Sequence, residues 1–136
     1  MDKALSLLAL ARKGGIAELG EEPVGGAARG GKAYVILVAK DASDHTWRRA
    51  KSFAAGTEQQ CVRLPWTKDQ LGAAIGRDTL AIAAITDVQM ALALVAALPQ
   101  EESNKPALEV LTAKAAKARQ RQQEAKAHRR NLRRGK

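Results

Sequence analysis

Two continuous apolar runs constrain the fold of this chain more than any other feature. The segments AYVILVA (33–39) and TLAIAAI (79–85) are almost free of polar side chains. A strand with one solvated face alternates polar and apolar residues, whereas a strand covered on both faces is apolar throughout. The two runs therefore predict two fully buried strands at the centre of a sheet.

Segments with helical spacing alternate with these strands. We expect a first helix over about 2–13, a second that begins at Glu21, a third over about 44–55, and two more that begin after Thr67 and Asp87. Asp41 and Ser43 are predicted to cap the third helix. Short extended pieces, IAEL (16–19) and CVRLP (61–65), complete the pattern. The order predicts the α/β class: a three-layer α/β/α sandwich around a small mixed sheet, followed by a basic tail that is helical or disordered.

Charge divides the chain of 136 residues into two regions. Residues 1–98 carry 12 Lys and Arg against 10 Asp and Glu, whereas residues 99–136 carry 11 against 4 and account for most of the net charge of +9. After Leu111 the tail has only Leu132 as a large core-forming residue. We therefore expect one domain over 1–98 and a basic tail over 99–136, and a polyanionic partner.

Composition excludes several classes of protein. One cysteine, Cys61, cannot form an internal disulfide framework, which favours a reducing, cytoplasmic location. The apolar run near the N-terminus is too short for a signal peptide and is read as an amphipathic helix. No segment is apolar over a length that would span a bilayer, so we expect no membrane partner. Aromatic residues are too few for a surface that stacks single-stranded bases.

The segment GAARGGKA (26–33) comes close to the phosphate-binding loop motif. In such a loop a strand precedes the glycines and a helix follows them. Here the glycines end a predicted helix and a strand follows, and Ala33 stands where a hydroxyl would hold magnesium. Helix termination is therefore favoured over nucleotide hydrolysis at Gly26 to Lys32.

Other residues give little support to an enzyme. His45, His128 and Cys61 have no partner at a spacing typical of a nucleophile, a general base or a metal site. We expect a protein that has no catalytic activity and uses neither a metal nor a cofactor.

Several strings occur in the order and spacing of one known family. They are LALARKGG (8–15), GEE (20–22), KAYVILVAKDAS (32–43), LGAAIGR (71–77) and AIAAITD (81–87). Over residues 1–98 the chain resembles the ribosomal protein L-seven-Ae superfamily, RNA-binding proteins that recognise kink-turns, and in particular its small bacterial YlxQ-like members. The resemblance implies an RNA-binding function.

The resemblance also implies where RNA binds. In the family, the start of the second helix carries a Gly-x-Asn-Glu-x-x-Lys pattern that contacts sheared G·A pairs. Here Gly20 matches, whereas Glu22, Pro23 and Gly26 stand at the Asn, Glu and Lys positions. Loops after the first buried strand and before the last strand support the contact. The implied RNA-binding residues are Gly20, Glu21, Glu22, Gly26, Lys40, Ser43, Arg77, Asp78 and Thr79.

The basic tail is expected to add contacts to phosphate. Its candidate residues are Lys114, Lys117, Arg119, Arg121, Lys126, Arg129, Arg130, Arg133 and Arg134. The sequence thus predicts a monomeric, cytoplasmic protein that binds ribosomal or other structured RNA and associates with the ribosome. In the alternative interpretation, the tail anchors the chain to RNA or the ribosome while the core docks another protein and no longer reads kink-turns.

Overall fold

The computed structural model describes residues 2–134, and the side chain of Arg134 lies outside the described part. Within this range the chain forms six α-helices and four strands. The helices are α1 (Lys3–Lys13), α2 (Glu21–Arg29), α3 (Asp44–Ala54), α4 (Lys68–Ile75), α5 (Val88–Ala96) and α6 (Lys105–Arg134). The strands are β1 (Ala17–Leu19), β2 (Val35–Val38), β3 (Gln60–Arg63) and β4 (Ile82–Ile85).

The four strands form one mixed sheet in the order β1-β4-β2-β3. β4 is antiparallel to both β1 and β2, and β2 is parallel to β3. The two apolar runs become the two central strands, and every residue of both strands is buried. The prediction of fully buried central strands is therefore confirmed.

Helices cover both faces of the sheet. Val35 and Leu37 of β2 join a core cluster with α1, α4, α5 and α6, whereas Ile36 and Val38 join a second cluster with α2 and α3. This division follows from the alternation of side chains along a strand. The predicted three-layer α/β/α sandwich with a small mixed sheet is confirmed.

Capping residues set the starts of three helices, as the sequence predicts. Ser43 accepts a hydrogen bond from the amide of Thr46, Asp87 caps α5 in the same way, and Thr67 forms a capping box with Gln70. Asp41 does not cap α3, contrary to the prediction. Its Oδ1 accepts a hydrogen bond of 2.8 Å from the amide of Lys68 and so caps α4 instead, because the loop after β2 lies against the start of that helix.

The glycine-rich segment behaves as a helix terminator. α2 ends at Arg29, and Gly31 adopts a φ of 68° in the turn before β2. Glycine is favoured there because a side chain makes this backbone conformation unfavourable. The order of elements is thus helix, glycine turn and strand, as predicted, and it is the reverse of a phosphate-binding loop.

The tail is helical, and its first turns belong to the core. Ala107, Leu111 and Ala115 are buried, and the first two join the cluster beneath α5. Leu132 is 59% exposed, so its predicted role as a core-forming residue is wrong. Buried packing therefore continues past residue 98, the predicted domain boundary, for about three turns of α6. No helix within residues 2–134 has the length and apolar character to cross a bilayer.

We predict that Leu111→Ala lowers the free energy of unfolding by about 2–5 kcal/mol, because it leaves a cavity beneath α6. Leu132→Ala is the matched control, and its effect should stay within about 0.5 kcal/mol because that side chain is exposed. Urea denaturation followed by circular dichroism measures both. Equal effects would show that α6 does not share the core.

Candidate nucleic-acid interface

The predicted RNA-binding segments of the core meet at one end of the sheet. β1, β2 and β3 finish at this end and β4 begins there, since β4 runs antiparallel to β1 and β2. Two backbone hydrogen bonds connect these segments: the Gly20 amide donates to the Ile82 carbonyl, and the Ala39 amide donates to the Ala81 carbonyl. We call this region the loop end of the sheet.

Gly20 places the start of α2 at the loop end. Its φ of 98° and ψ of 161° lie in a region that side chains strongly disfavour, so glycine is required at this turn. Gly20 is the N-cap but provides no side-chain cap. The first amides of α2 therefore lack a side-chain acceptor at their cap and point out of the helix N-terminus.

Glu21 points towards α3 rather than away from the protein. Its Oε1 lies 3.7 Å from Nε of Arg49, a distance that allows charge attraction but no hydrogen bond. This oxygen is buried and has no hydrogen-bond partner among the described residues. Arg49 also stacks over the Phe53 ring, with its guanidinium 5.2 Å from the ring centroid. Glu22 is exposed, so it is the outward-facing carboxylate of the pair.

The loop after β2 brings Lys40 and Ser43 to the loop end. Lys40 has an exposed side chain, and its amide donates a hydrogen bond to the carbonyl of Trp66. The Ser43 hydroxyl is committed to capping α3, where it accepts from the Thr46 amide and donates to the Thr46 hydroxyl. Of these two predicted contacts, only Lys40 has its polar group free of local hydrogen bonds.

The loop before β4 presents Arg77, Asp78 and Thr79, all with exposed side chains. Its backbone packs directly on Gly72 of α4. A Cβ at Gly72 would lie 2.6 Å from the Asp78 carbonyl oxygen and 2.7 Å from the Thr79 Cα. Glycine at this helix position therefore allows the 77–79 loop to pack closely against α4.

The predicted residues at the loop end carry nearly balanced charge. Lys40 and Arg77 stand against three carboxylates, those of Glu21, Glu22 and Asp78. Gly26, at the family's lysine position, is exposed on α2, and a Cβ there would meet nothing within 4 Å. Charge alone therefore attracts no phosphate backbone to the loop end, and any RNA contact there depends on specific hydrogen bonds.

The tail differs sharply in charge. Residues 116–134, which we call the arm, project beyond the last buried residue of α6, Ala115, for roughly 28 Å at 1.5 Å per residue. The arm carries eight Lys and Arg residues and one acid, Glu124. All but one of the side chains over 116–133 are exposed, and the exception, Ala118, is half-buried.

Two of the predicted tail residues hold α6 to the core. Lys114 forms an ion pair with Glu58, and Arg119 donates a 3.2 Å hydrogen bond to Oε1 of Gln89, whose amide nitrogen bonds the Ala115 carbonyl. The hydrogen bond from Lys114, with its charge, lowers the pKa of Glu58. The other predicted tail cations with described side chains form no ion pair within residues 2–134. Arg134 falls outside that description.

The structure places the arm and the loop end on opposite sides of the core. The segment before α6 lies near Lys40 and Leu64, at the loop end, whereas Lys114 and Arg121 line a cavity with Tyr34 and Gln60, where β2 and β3 begin. α6 therefore runs antiparallel to β3, and the arm extends away from the loop end. The predicted core contacts and tail contacts do not form one surface.

The chemistry of the single cysteine is also determined by its surroundings. Burial raises the pKa of the Cys61 thiol to about 11, and the nearby cations of Lys51 and Arg63 offset only part of this shift. At neutral pH the thiol is protonated, and a protonated thiol is a poor nucleophile. Cys61 lies on β3, is half-buried, and packs against the same core cluster as Trp47 of α3.

Three residues that organise these surfaces were missed by the sequence analysis. Arg49 holds Glu21 across 28 positions, Gln89 holds α6 across 26, and Glu58 pairs with a lysine 56 positions away. Each is a polar residue in a helix or loop with no local motif. No pattern in the sequence marks such contacts, because they depend on how the helices pack.

Comparison with known proteins identifies the fold of the chain but not its function. No family model matches the chain, and no curated protein is similar to it. A Bacillus halodurans C protein of unknown function is 26% identical, covers 71% of this chain and 97% of its own, and superimposes with a TM-score of 0.67. The two proteins therefore share the sandwich fold over most of this chain.

A second solved structure, a 15.5kD RNA-binding protein from Giardia lamblia, is more distant. It is 17% identical, covers 82% of this chain and 84% of its own, and has a TM-score of 0.48. That similarity is too low to extend its activity to this chain.

We predict that Gly72→Ala destabilises the protein by about 1–3 kcal/mol, because the new methyl group displaces the 77–79 loop. Gly26→Ala is the matched control within a helix. It should stabilise by about 0.5–1 kcal/mol, since that site is open and alanine favours helix. Chemical denaturation of the two variants gives both values, and a neutral Gly72→Ala would contradict the close contact.

Proposed function

We propose that the protein is a non-catalytic RNA-binding protein of the L-seven-Ae superfamily that acts on ribosomal or other structured RNA in the cytoplasm. The arm supplies most of the attraction to phosphate. The loop end supplies recognition of a kink-turn or a similarly bent RNA. The protein works as a monomer, on or near the ribosome.

The arm is the observation that carries the proposal. A helix with eight cations and one acid, exposed around its axis, has a large affinity for polyanions, because each phosphate it neutralises releases a condensed counterion. Its glutamine and arginine side chains can also donate to base edges. The docked turns of α6 hold one end of this helix in place.

Recognition by the loop end rests on the resemblance and on the geometry. The segments that carry the family's RNA contacts lie together there, with Glu22, Lys40 and Arg77 exposed. Glu22 can accept hydrogen bonds from guanine N–H groups but cannot donate as an asparagine would.

A second candidate function is an RNA-anchored interaction module whose core docks a protein. The separation of the arm from the loop end favours it, because an RNA held only by the arm leaves the loop end uncovered. Both candidates share RNA binding by the arm. They differ in whether the core distinguishes RNA shapes.

We predict that the protein binds a short kink-turn RNA at least about tenfold more tightly than a straight RNA duplex of equal length, as expected for one or two base-specific contacts. Gel-shift titration at about 0.15 M salt measures both affinities. Equal affinities would reject recognition by the loop end and favour the interaction module.

Removal of most of the arm separates the two candidates further. A chain ending at residue 120 keeps Leu111, Ala115 and the Lys114–Glu58 pair and loses seven Lys and Arg residues. The kink-turn preference should persist in this chain at lower overall affinity. Complete loss of RNA binding would support the interaction module.

We predict that Gly26→Lys strengthens kink-turn binding and steepens its salt dependence by about one unit, because it restores a cation at the family's phosphate-contact position. The exposed site accommodates the side chain. Gly26→Ala controls for the gain in helix stability and should leave the salt slope unchanged. An identical slope for both variants would mean that this face of α2 does not meet phosphate.

A further inference from the structure

The end of the sheet opposite the loop end carries a group of cations from two distant parts of the chain. Arg29 lies in the last turn of α2 and Lys32 in the turn that follows, whereas Lys117 and Arg121 lie on α6. All four side chains are exposed. We call these four residues the basic strip.

Two adjacent cavities lie between the two halves of the basic strip. A cavity of about 610 Å³ between α6 and the starts of β2 and β3 is lined by Lys117 and Arg121. A neighbouring cavity of about 360 Å³ is lined by Arg29 and by Gly31, the residue before Lys32. The two cavities are adjacent, since Tyr34, Thr57, Glu58 and Lys114 line both, and we call the two together the groove.

The floor of the groove is held by specific hydrogen bonds. Gln59 bridges to the end of α2: its Oε1 accepts from the Ala33 amide at 3.0 Å, and its Nε2 donates to the Ala28 carbonyl at 3.2 Å. The preceding residue, Glu58, forms an ion pair with Lys114 of α6. The loop that carries Glu58 and Gln59 thus contacts both α2 and α6, the helices at which the two halves of the basic strip lie. Such preorganisation reduces the entropy lost on binding.

The chemistry of the strip selects a phosphate backbone. Glu58 forms an ion pair with Lys114 and is close enough for the charge of Lys117 to act on it, but the four strip cations form no ion pair within residues 2–134. The aromatic residue in the groove, Tyr34, is half-buried, so the strip has no exposed ring on which an unpaired base could stack. Lys117 and Arg121 are four positions apart on one face of α6, in the first turns of the arm.

We infer that the basic strip and the arm hold a second RNA segment while the loop end holds the first. The inference rests on the proposed RNA-binding function. Tyr34 in the groove and Lys40 at the loop end are six residues apart along an extended segment, or roughly 20 Å. Because the two surfaces face opposite ways along the strands, one straight RNA helix does not cover both, and the protein bridges two double-stranded segments.

Bridging is tested with two RNAs, a short kink-turn RNA labelled with a donor dye and a separate straight duplex labelled with an acceptor. Addition of the full-length protein should produce energy transfer, and the complex should contain one protein and both RNAs by native mass spectrometry. Lys117→Glu with Arg121→Glu should weaken capture of the duplex by about tenfold or more. The affinity for the kink-turn RNA should fall by a smaller factor, because the contacts of the loop end are unchanged.

The matched control is Arg12→Glu with Lys13→Glu, which changes the net charge equally. These exposed residues end α1 beside β1, three strand spacings from β3. This variant should bridge like the parent, and circular dichroism should show both variants folded. Equal loss of bridging in both variants, a complex of two proteins, or kink-turn binding without energy transfer would overturn the inference and leave the proposed function standing.

Failure of the protein to bind either RNA would reject the proposed function, and the inference with it. A single RNA that joins a kink-turn to a duplex through a flexible linker tests whether both surfaces of one protein are occupied at the same time. Tighter binding of this linked RNA than of either part, lost in Lys117→Glu with Arg121→Glu, would support the inference.

Discussion

The burial of β2 and β4 on both faces is the constraint on which the rest of the structure depends. Apolar strands of this kind must be covered by helices on two sides, and the chain provides α2 and α3 for one face and α1, α4, α5 and α6 for the other. Because β4 is antiparallel to its neighbours, the chain leaves β1 and β2 and enters β4 at the same end of the sheet. The loop end is therefore a direct product of the sheet topology.

Packing and charge have been divided between different parts of the chain. The residues that build the loop end are held by backbone contacts, such as the Gly72 approach to the 77–79 loop, and carry almost balanced charge. The arm contributes no buried residue among those with described side chains and carries eight Lys and Arg residues against one acid. The geometry of the loop end and the positive charge of the arm can therefore change independently of each other.

Local chemistry explains what the sequence could predict. Ser43, Thr67 and Asp87 act on amides three residues away, and apolar runs identify central strands without knowledge of their partners. Asp41 was assigned to the wrong helix because its true partner, Lys68, is 27 positions away. Leu132 was read as a core residue because composition cannot tell that α6 has left the core about five turns earlier, after Ala115. The family resemblance located the loop end, but not the position of the arm on the opposite side.

The docked turns of α6 also determine how the arm becomes helical. Starting a helix is the costly step, whereas adding residues to an existing one is easy. The core supplies the first turns through Leu111, Ala115 and the bonds of Gln89, so the arm only has to propagate from a template. The position of each residue along α6 then sets the direction in which its side chain points from the helix axis. Insertion of one residue near Ala116 would rotate every later cation by about 100° and advance it by about 1.5 Å without altering a buried contact.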